Sequence, residues 1–301
     1  MWVRFPPAVS NRERSTIQHP TLESLAVIGL GAIGGSVAWR ARLAGLPRVV
    51  GYTPDPDEAE AAKAAGAVTA LAPSPEAALA GASFAVLAAP PTATLELIGQ
   101  LARRLDPGAV LSDVASVKGC VMARARAAGL AACFAGAHPL AGTHGSGFAH
   151  AAPDLLRRCV VYVCRTGSGA GEEAARRVAG FWSGVLEATP VPVDAVEHDR
   201  QLAWTSHLPQ AVAYALARVL ADRGLAPSAF GTGARDTTRL AGSSPDLWID
   251  IFLQNRDAVI AALDDAGARL DQLRALVRRR DETGLRALIA PAAAFRRSLD
   301  R

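Results

Sequence analysis

The sequence predicts an α/β protein, in which a doubly wound, mostly parallel sheet is followed by an all-helical C-terminal domain. Three observations carry this expectation. Short apolar runs alternate with helical segments up to about residue 193, the pattern that lays down parallel sheets. The first run, from Leu25 to Ile28, feeds a glycine-rich turn and then an alanine-rich segment of helical character. From His198 onward strand signals stop and helical periodicity takes over.

Gly29, Gly31 and Gly34 fall at the spacing G-x-G-x-x-G, the fingerprint of a Rossmann-type dinucleotide site. Gly29 lets the chain turn sharply out of the strand. Gly31 has no Cβ, so backbone can approach a pyrophosphate, and Gly34 lets the helix pack closely on the strand. The helix start around Ile33 offers free N–H groups and the positive end of its dipole to the phosphates. The motif alone is weak. The strand before it and the helix after it supply its required context. The plainer alternative is a tight glycine turn in another kind of α/β protein.

The first helix is expected over 32–44, stopping near Gly45. A second strand follows at 48–52, then a helix at 56–65 with Asp57, Glu58 and Glu60 in its first turns. An acidic residue at the end of the second strand bonds the ribose 2′-hydroxyl in NAD sites. Thr53 occupies that place, with Asp55 beyond a proline and no arginine directly after. A threonine can bond a hydroxyl but does not repel a 2′-phosphate. NAD is the expected cofactor, and NADP stays open.

The apolar run 83–89 reads as a strand buried on both faces. Ala89 and Pro90 then lie at the carboxyl edge of the sheet, where ligands bind in open α/β folds. A helix at 92–105, a strand at 109–114 and a helix ending near 128 come next. A strand at 132–137 leads into His138-Pro139 and a glycine- and histidine-rich loop through Gly147. Strands at 160–164 and 187–193 flank a helix at 171–184. Beyond them, helices are expected at 198–223, interrupted at Pro209, and at 245–268, 270–280 and 282–288. The expected organisation is a lead-in at 1–22, a dinucleotide-binding domain at 23–193 and a helical domain at 194–301.

The net charge is +4 over 301 residues, a mildly basic balance that favours a small anionic substrate. No basic-aromatic recognition motif accompanies it, so nucleic acid is not expected as a partner. The four cysteines form no C-x-x-C pair and no histidine stands at zinc-finger spacing. Reduced thiols, no metal and a cytoplasmic location follow as expectations. No apolar run approaches the ~20 residues of a membrane helix, and residues 1–22 lack the apolar core of a signal peptide. The cluster Arg278, Arg279 and Arg280 reads as a solvated helix face.

Further motifs follow in order. They are Asp113-Val-Ala-Ser116-Val-Lys118-Gly119, then Gly136-Ala-His138-Pro-Leu-Ala-Gly142 with Ser146-Gly147. His198-Asp199, Ser206-His207-Leu-Pro209 and Asp236-Thr-Thr-Arg239 come next. Last are Ser244-Pro-Asp-Leu-Trp248 and Asn255. Together with the glycine turn, this ordered set resembles the prephenate/arogenate (cyclohexadienyl) dehydrogenases of tyrosine biosynthesis and covers about 25–290.

The resemblance implies a cyclohexadienol substrate with a ring carboxylate. A hydride passes from the carbinol carbon to the nicotinamide, the carboxylate leaves as carbon dioxide, and the ring becomes aromatic. The protein must orient the reactants, take the hydroxyl proton and hold two carboxylates. A proton acceptor near neutral pH is most simply a histidine. By resemblance it is His138, with Ser116 bonding the hydroxyl and orienting the ring. A planar guanidinium suits a carboxylate, and by resemblance Arg239 supplies it from the helical domain. Ser206, His207, Gln210 and Trp248 resemble substrate-side residues. His198 reads as structural, and His144 as a further residue that could face substrate. A homodimer through the helical domain is also implied.

Many members read Ser-His-Leu-Pro-His where this chain ends the motif in Gln210, which leaves prephenate and arogenate both open as substrates. Little chain follows Pro291, so tyrosine inhibition is expected only by competition at the active site. The nearest rival is a two-domain β-hydroxyacid-type dehydrogenase with a catalytic lysine, for which Lys118 is the sole candidate. A rival of another class is a nucleotide sensor that kept the fold without turnover.

Overall fold

A computed structural model describes residues 22–141, 145–167 and 169–300. Leu22 apart, the lead-in expected at 1–22 lies outside them, as does His144.

Eight strands form one sheet: β1 (Ser24–Ile28), β2 (Arg48–Tyr52), β3 (Ala70–Leu71), β4 (Phe84–Leu87), β5 (Val110–Asp113), β6 (Phe134–Pro139), β7 (Val160–Arg165) and β8 (Thr189–Pro192). Their spatial order is β3-β2-β1-β4-β5-β6-β7-β8. Every neighbouring pair is parallel except β6 and β7, which run antiparallel. The chain winds outward from β1 to β3 and then returns to place β4 beside β1. That reversal opens a crevice at the carboxyl ends of β1 and β4, the ligand position of doubly wound sheets.

Strand periodicity decides what each face buries. Leu25 and Val27 of β1, with Phe84 and Val86 of β4, point into one core layer. There they meet Val37, Ala38 and Ala41 of α1 (Ala32–Leu43), and Val178, Phe181 and Trp182 of α6 (Ala170–Gly184). Ala26, Ile28, Ala85 and Leu87 point the other way. They meet α3 (Pro75–Leu79), α4 (Pro91–Leu101) and α5 (Gly119–Ala127). Every residue of β1 and β4 is buried, as continuous apolar runs between two helical layers require.

The remaining helices are α2 (Pro56–Ala64), α7 (Ala195–Leu202), α8 (Leu208–Ala221), α9 (Thr232–Thr238), α10 (Pro245–Gln254), α11 (Arg256–Arg279) and α12 (Glu282–Ser298). No helix is long and apolar enough to cross a membrane among the described residues.

Several expected boundaries shift. The two-residue β3, the five-residue α3 and the seven-residue α9 are too short to give a clear periodic signal. The helix expected at 245–268 is two helices meeting at Asn255, and α11 runs unbroken through the expected gap near Leu270. The interruption expected at Pro209 is a π-helical turn, Ala203–His207, placed just before it. Proline has no N–H, and its ring crowds the carbonyl one turn back. The wider turn relieves both problems before α8 begins.

Helix α10 docks on the sheet unit through particular polar contacts. Pro90 and Pro91 have no N–H, so Thr92 carries the first backbone donor of α4. Asp250 of α10 accepts from that N–H at 2.7 Å and from the Thr92 hydroxyl at 2.5 Å.

Candidate active site

The glycine turn has the form its sequence predicts. Gly29 adopts φ +98°, and a Cβ there would run into the Ala88 carbonyl. A Cβ on Gly34 would strike the Gly29 carbonyl. A Cβ on Gly31 would instead meet only ordinary contacts, the nearest being Glu58 Oε1 at 3.6 Å. Gly31 also begins α1 without a side-chain cap. The first N–H groups of α1, including that of half-buried Ile33, therefore point toward any ligand over the turn. Across the crevice, exposed Pro90 opens α4, and the Ala89 carbonyl accepts from the Thr94 hydroxyl at 3.0 Å. These features fit a dinucleotide pyrophosphate.

His138 was expected in a loop after a strand. It lies within β6 instead, opposite Tyr162 of β7, because the strand continues through Pro139. The antiparallel partner β7 holds its backbone rigidly. The His138 ring is 8% exposed, and its Nδ1 lies 2.8 Å from Nε2 of His198. His198 Nδ1 lies 2.8 Å from Asp199 Oδ1. His198, read from sequence as structural, is thus the middle of a three-residue chain. The His198-Asp199 motif marked the residue but not this role, because α7 and β6 are distant in sequence and meet only in the fold.

The order of donors follows from the acceptor at the end. Asp199 accepts, so His198 Nδ1 carries the proton and His198 Nε2 accepts in turn. His138 Nδ1 then carries its proton toward His198, which leaves the His138 Nε2 lone pair free. Burial, above all, holds His138 well below the usual imidazole value of 6.5, and positive charge on His198, Lys118 and His207 adds to this. His198 is also lowered by burial, although its bond to Asp199 opposes the shift. Burial disfavours charge on Asp199 too. The bonds from His198 and the N–H groups of Lys118 and Gly119 outweigh it and hold that carboxyl below its ordinary value. Those N–H contacts, each 2.7 Å, make Asp199 the cap of α5 as well.

A cavity of about 580 Å³ brings Ser206 of the π-helical turn to the same space as His138, with Tyr162, Gln201 and Thr205. His207 is fully buried behind it. Asn255 spans His207 Nδ1 at 3.1 Å and the Asp199 carbonyl at 2.8 Å. Burial takes His207 down to about 4, and its Nε2 has no hydrogen-bond partner among the described residues. Half-buried Trp248 meets the His207 ring edge-on at 6.0 Å.

The other expected residues are less closely joined. Ser116 is half-buried between β5 and α5, and no hydrogen bond ties it to His138 among the described residues. Gln210 is 2% exposed and donates to the Leu240 carbonyl at 2.6 Å. It therefore fixes the turn that starts at Arg239, rather than presenting a free amide. Arg239 itself is exposed at that turn. Thr53 donates to Glu58 at 2.9 Å. Lys118 is fully buried and ion-paired with Asp113, so it is closed off from any substrate. No group of residues that could hold a metal ion occurs among the described residues.

Two family models match the chain. The nucleotide-binding domain of prephenate dehydrogenase matches residues 39–187, and its dimerization domain matches residues 194–290. A prephenate dehydrogenase of Bacillus subtilis is 30% identical over 285 residues, covering 92% of this chain and 76% of that protein.

The chain belongs to the prephenate dehydrogenase family.

A cyclohexadienyl dehydrogenase of Zymomonas mobilis is also 30% identical, over 85% of this chain and 89% of its own length. Among solved structures, the prephenate dehydrogenase of Aquifex aeolicus in complex with hydroxyphenyl propionate and NAD+ superposes with a TM-score of 0.85. It is 27% identical, and the match covers 93% of this chain and 99% of that one. Family membership sets aside the β-hydroxyacid reading, in agreement with the burial of Lys118.

Proposed function

We propose that this chain oxidatively decarboxylates prephenate to 4-hydroxyphenylpyruvate with NAD as oxidant. The observation that carries the reading is the His138–His198–Asp199 chain, which leaves one imidazole nitrogen neutral and free beside a cavity. NAD, when bound over Gly29, Gly31 and Gly34, supplies the hydride acceptor.

The chain's own residues do the rest. His138 Nε2 takes the hydroxyl proton as the carbinol hydride leaves. The ring carboxylate departs as carbon dioxide, and its bonding pair completes the aromatic ring. Positive charge arriving on His138 is shared through His198 toward Asp199, whose carboxylate faces it through two hydrogen bonds. Arg239 binds a substrate carboxylate, while Ser206, His207 and Trp248 shape the substrate side. Ser116 acts on the substrate hydroxyl directly, since it makes no bond to His138. Gln210 acts through the Arg239 turn.

Arogenate is the second reading: Gln210 stands where many members carry a histidine, which leaves the choice between the two substrates open. Steady-state turnover of prephenate and arogenate, each with NAD and NADP, tests both readings. Turnover of neither substrate, with NAD still bound, would favour the nucleotide-sensor reading.

A homodimer through the helical region belongs to the same proposal. Helix α12 buries none of its residues, and Ile289 and Phe295 on it are more than half exposed. Exposed apolar side chains of this kind suit a contact face. A cytoplasmic location also fits, since all four cysteines are free thiols.

A further inference from the structure

The end of β2 lacks the acidic residue that NAD sites place there, and Thr53 stands instead. The Thr53 hydroxyl donates to Glu58 Oε2 at 2.9 Å and accepts from the Asp55 N–H at 3.3 Å. Glu58 sits in the first turn of α2, and its other carboxylate oxygen reaches back over the glycine turn. A methyl group on Gly31 would stand 3.6 Å from Glu58 Oε1, and one on Gly147 would stand 3.4 Å from it. The two anchor points are neighbours, since the Gly29 N–H donates to the Tyr52 carbonyl at 2.7 Å. The carboxylate thus bridges the end of β2 and the turn that receives the pyrophosphate. Asp55, the nearer acid in sequence, is committed elsewhere. Its Oδ1 caps α2 by accepting from the N–H groups of Asp57 and Glu58.

We infer that Glu58, held in place by Thr53, replaces the missing strand-end acid and selects NAD over NADP. The inference rests on the cofactor's adenosine half lying over the glycine turn. A carboxylate there accepts two hydroxyl donors from a ribose, in bonds strengthened by its charge. A 2′-phosphate would replace one donor with negative charge facing negative charge. No arginine is at hand in sequence to offset it: the sole basic residue from Thr53 to Ala65 is Lys63, in the last turn of α2.

The test is calorimetric titration of the protein with NAD and with NADP, in the absence of substrate and at low salt. Wild type should bind NAD more tightly. In Glu58→Gln, NAD affinity should fall about tenfold and NADP affinity rise about tenfold, as expected for loss of a charged acceptor. Glu60→Gln removes the same charge from an exposed position on the same helix and should keep the wild-type ratio. Thr53→Val removes only the hydroxyl that steers the carboxylate. It should shift the ratio in the same direction by less, and it carries the test if Glu58→Gln melts early. An unchanged ratio in both variants, or a wild type that prefers NADP, overturns the inference. A wild type that binds neither nucleotide overturns instead the placement of the cofactor over the turn, and the inference falls with it.

Discussion

At the scale of single residues, the proposed mechanism turns on the free nitrogen of His138. His138→Asn should lose most of kcat, about a hundredfold or more for a general base, with NAD binding intact by titration. Near-normal turnover would remove it from that role. The pH dependence has a definite sign. The base must be neutral, and burial keeps His138 neutral as pH falls through 6.5. The acid limb of kcat/KM should therefore lie below pH 6.5. His198→Ala removes the acceptor that fixes the His138 tautomer. It should lower kcat and displace that limb while leaving KM for NAD unchanged. A purely structural His198 would not move the limb. Arg239→Gln should mainly raise KM for the substrate, and an unchanged KM would exclude it from carboxylate binding. Burial also carries a stability cost at low pH. His207 is held at about 4 when folded, against 6.5 when free. Its contribution is complete above 6.5 and is lost as pH falls from there toward 4. His138 and His198 shift in the same direction, so the urea midpoint should drop across that window. His138 was given a role from sequence because its motif is local. His198 was not, because its meaning depends on a partner sixty positions away in sequence.

At the scale of elements, the legible parts are those with a sustained period. β1, β4, α1 and α6 follow from apolar runs and helical stripes, and the glycine turn follows from its spacing between a strand and a helix. What could not be read is set by contacts. The π-helical turn exists because Pro209 must be accommodated, yet its exact place lies upstream of the proline. Gln210 looked like a substrate contact because of the motif around it, while the fold turns its amide onto the Leu240 carbonyl. Gln210→Ala should therefore act through the Arg239 turn, raising KM for substrate several-fold without a change in NAD affinity. An equal loss in both would contradict that coupling.

At the scale of the whole molecule, the sheet unit and the helices from α7 onward meet opposite requirements. The sheet buries its strands completely between two helical layers. The helical region leaves Leu253, Leu270, Val277, Ile289 and Phe295 more than half exposed, and α12 touches the rest of the fold chiefly through α11. A single chain has no reason to hold these side chains in water, since each fully buried one is worth about 1.5–3 kcal/mol. A second copy would offer the same face in return, and a twofold arrangement needs only one self-complementary surface. Because Asp250 ties α10 to the first turn of α4, such a partner would also steady the Pro90 loop at the cofactor crevice. Sedimentation at micromolar concentration should give a dimer for wild type. Ile289→Glu together with Phe295→Glu should give a monomer that keeps NAD binding but turns over more slowly. A wild type that sediments as a monomer would refute the dimer. A double variant that is monomeric yet fully active would separate assembly from catalysis.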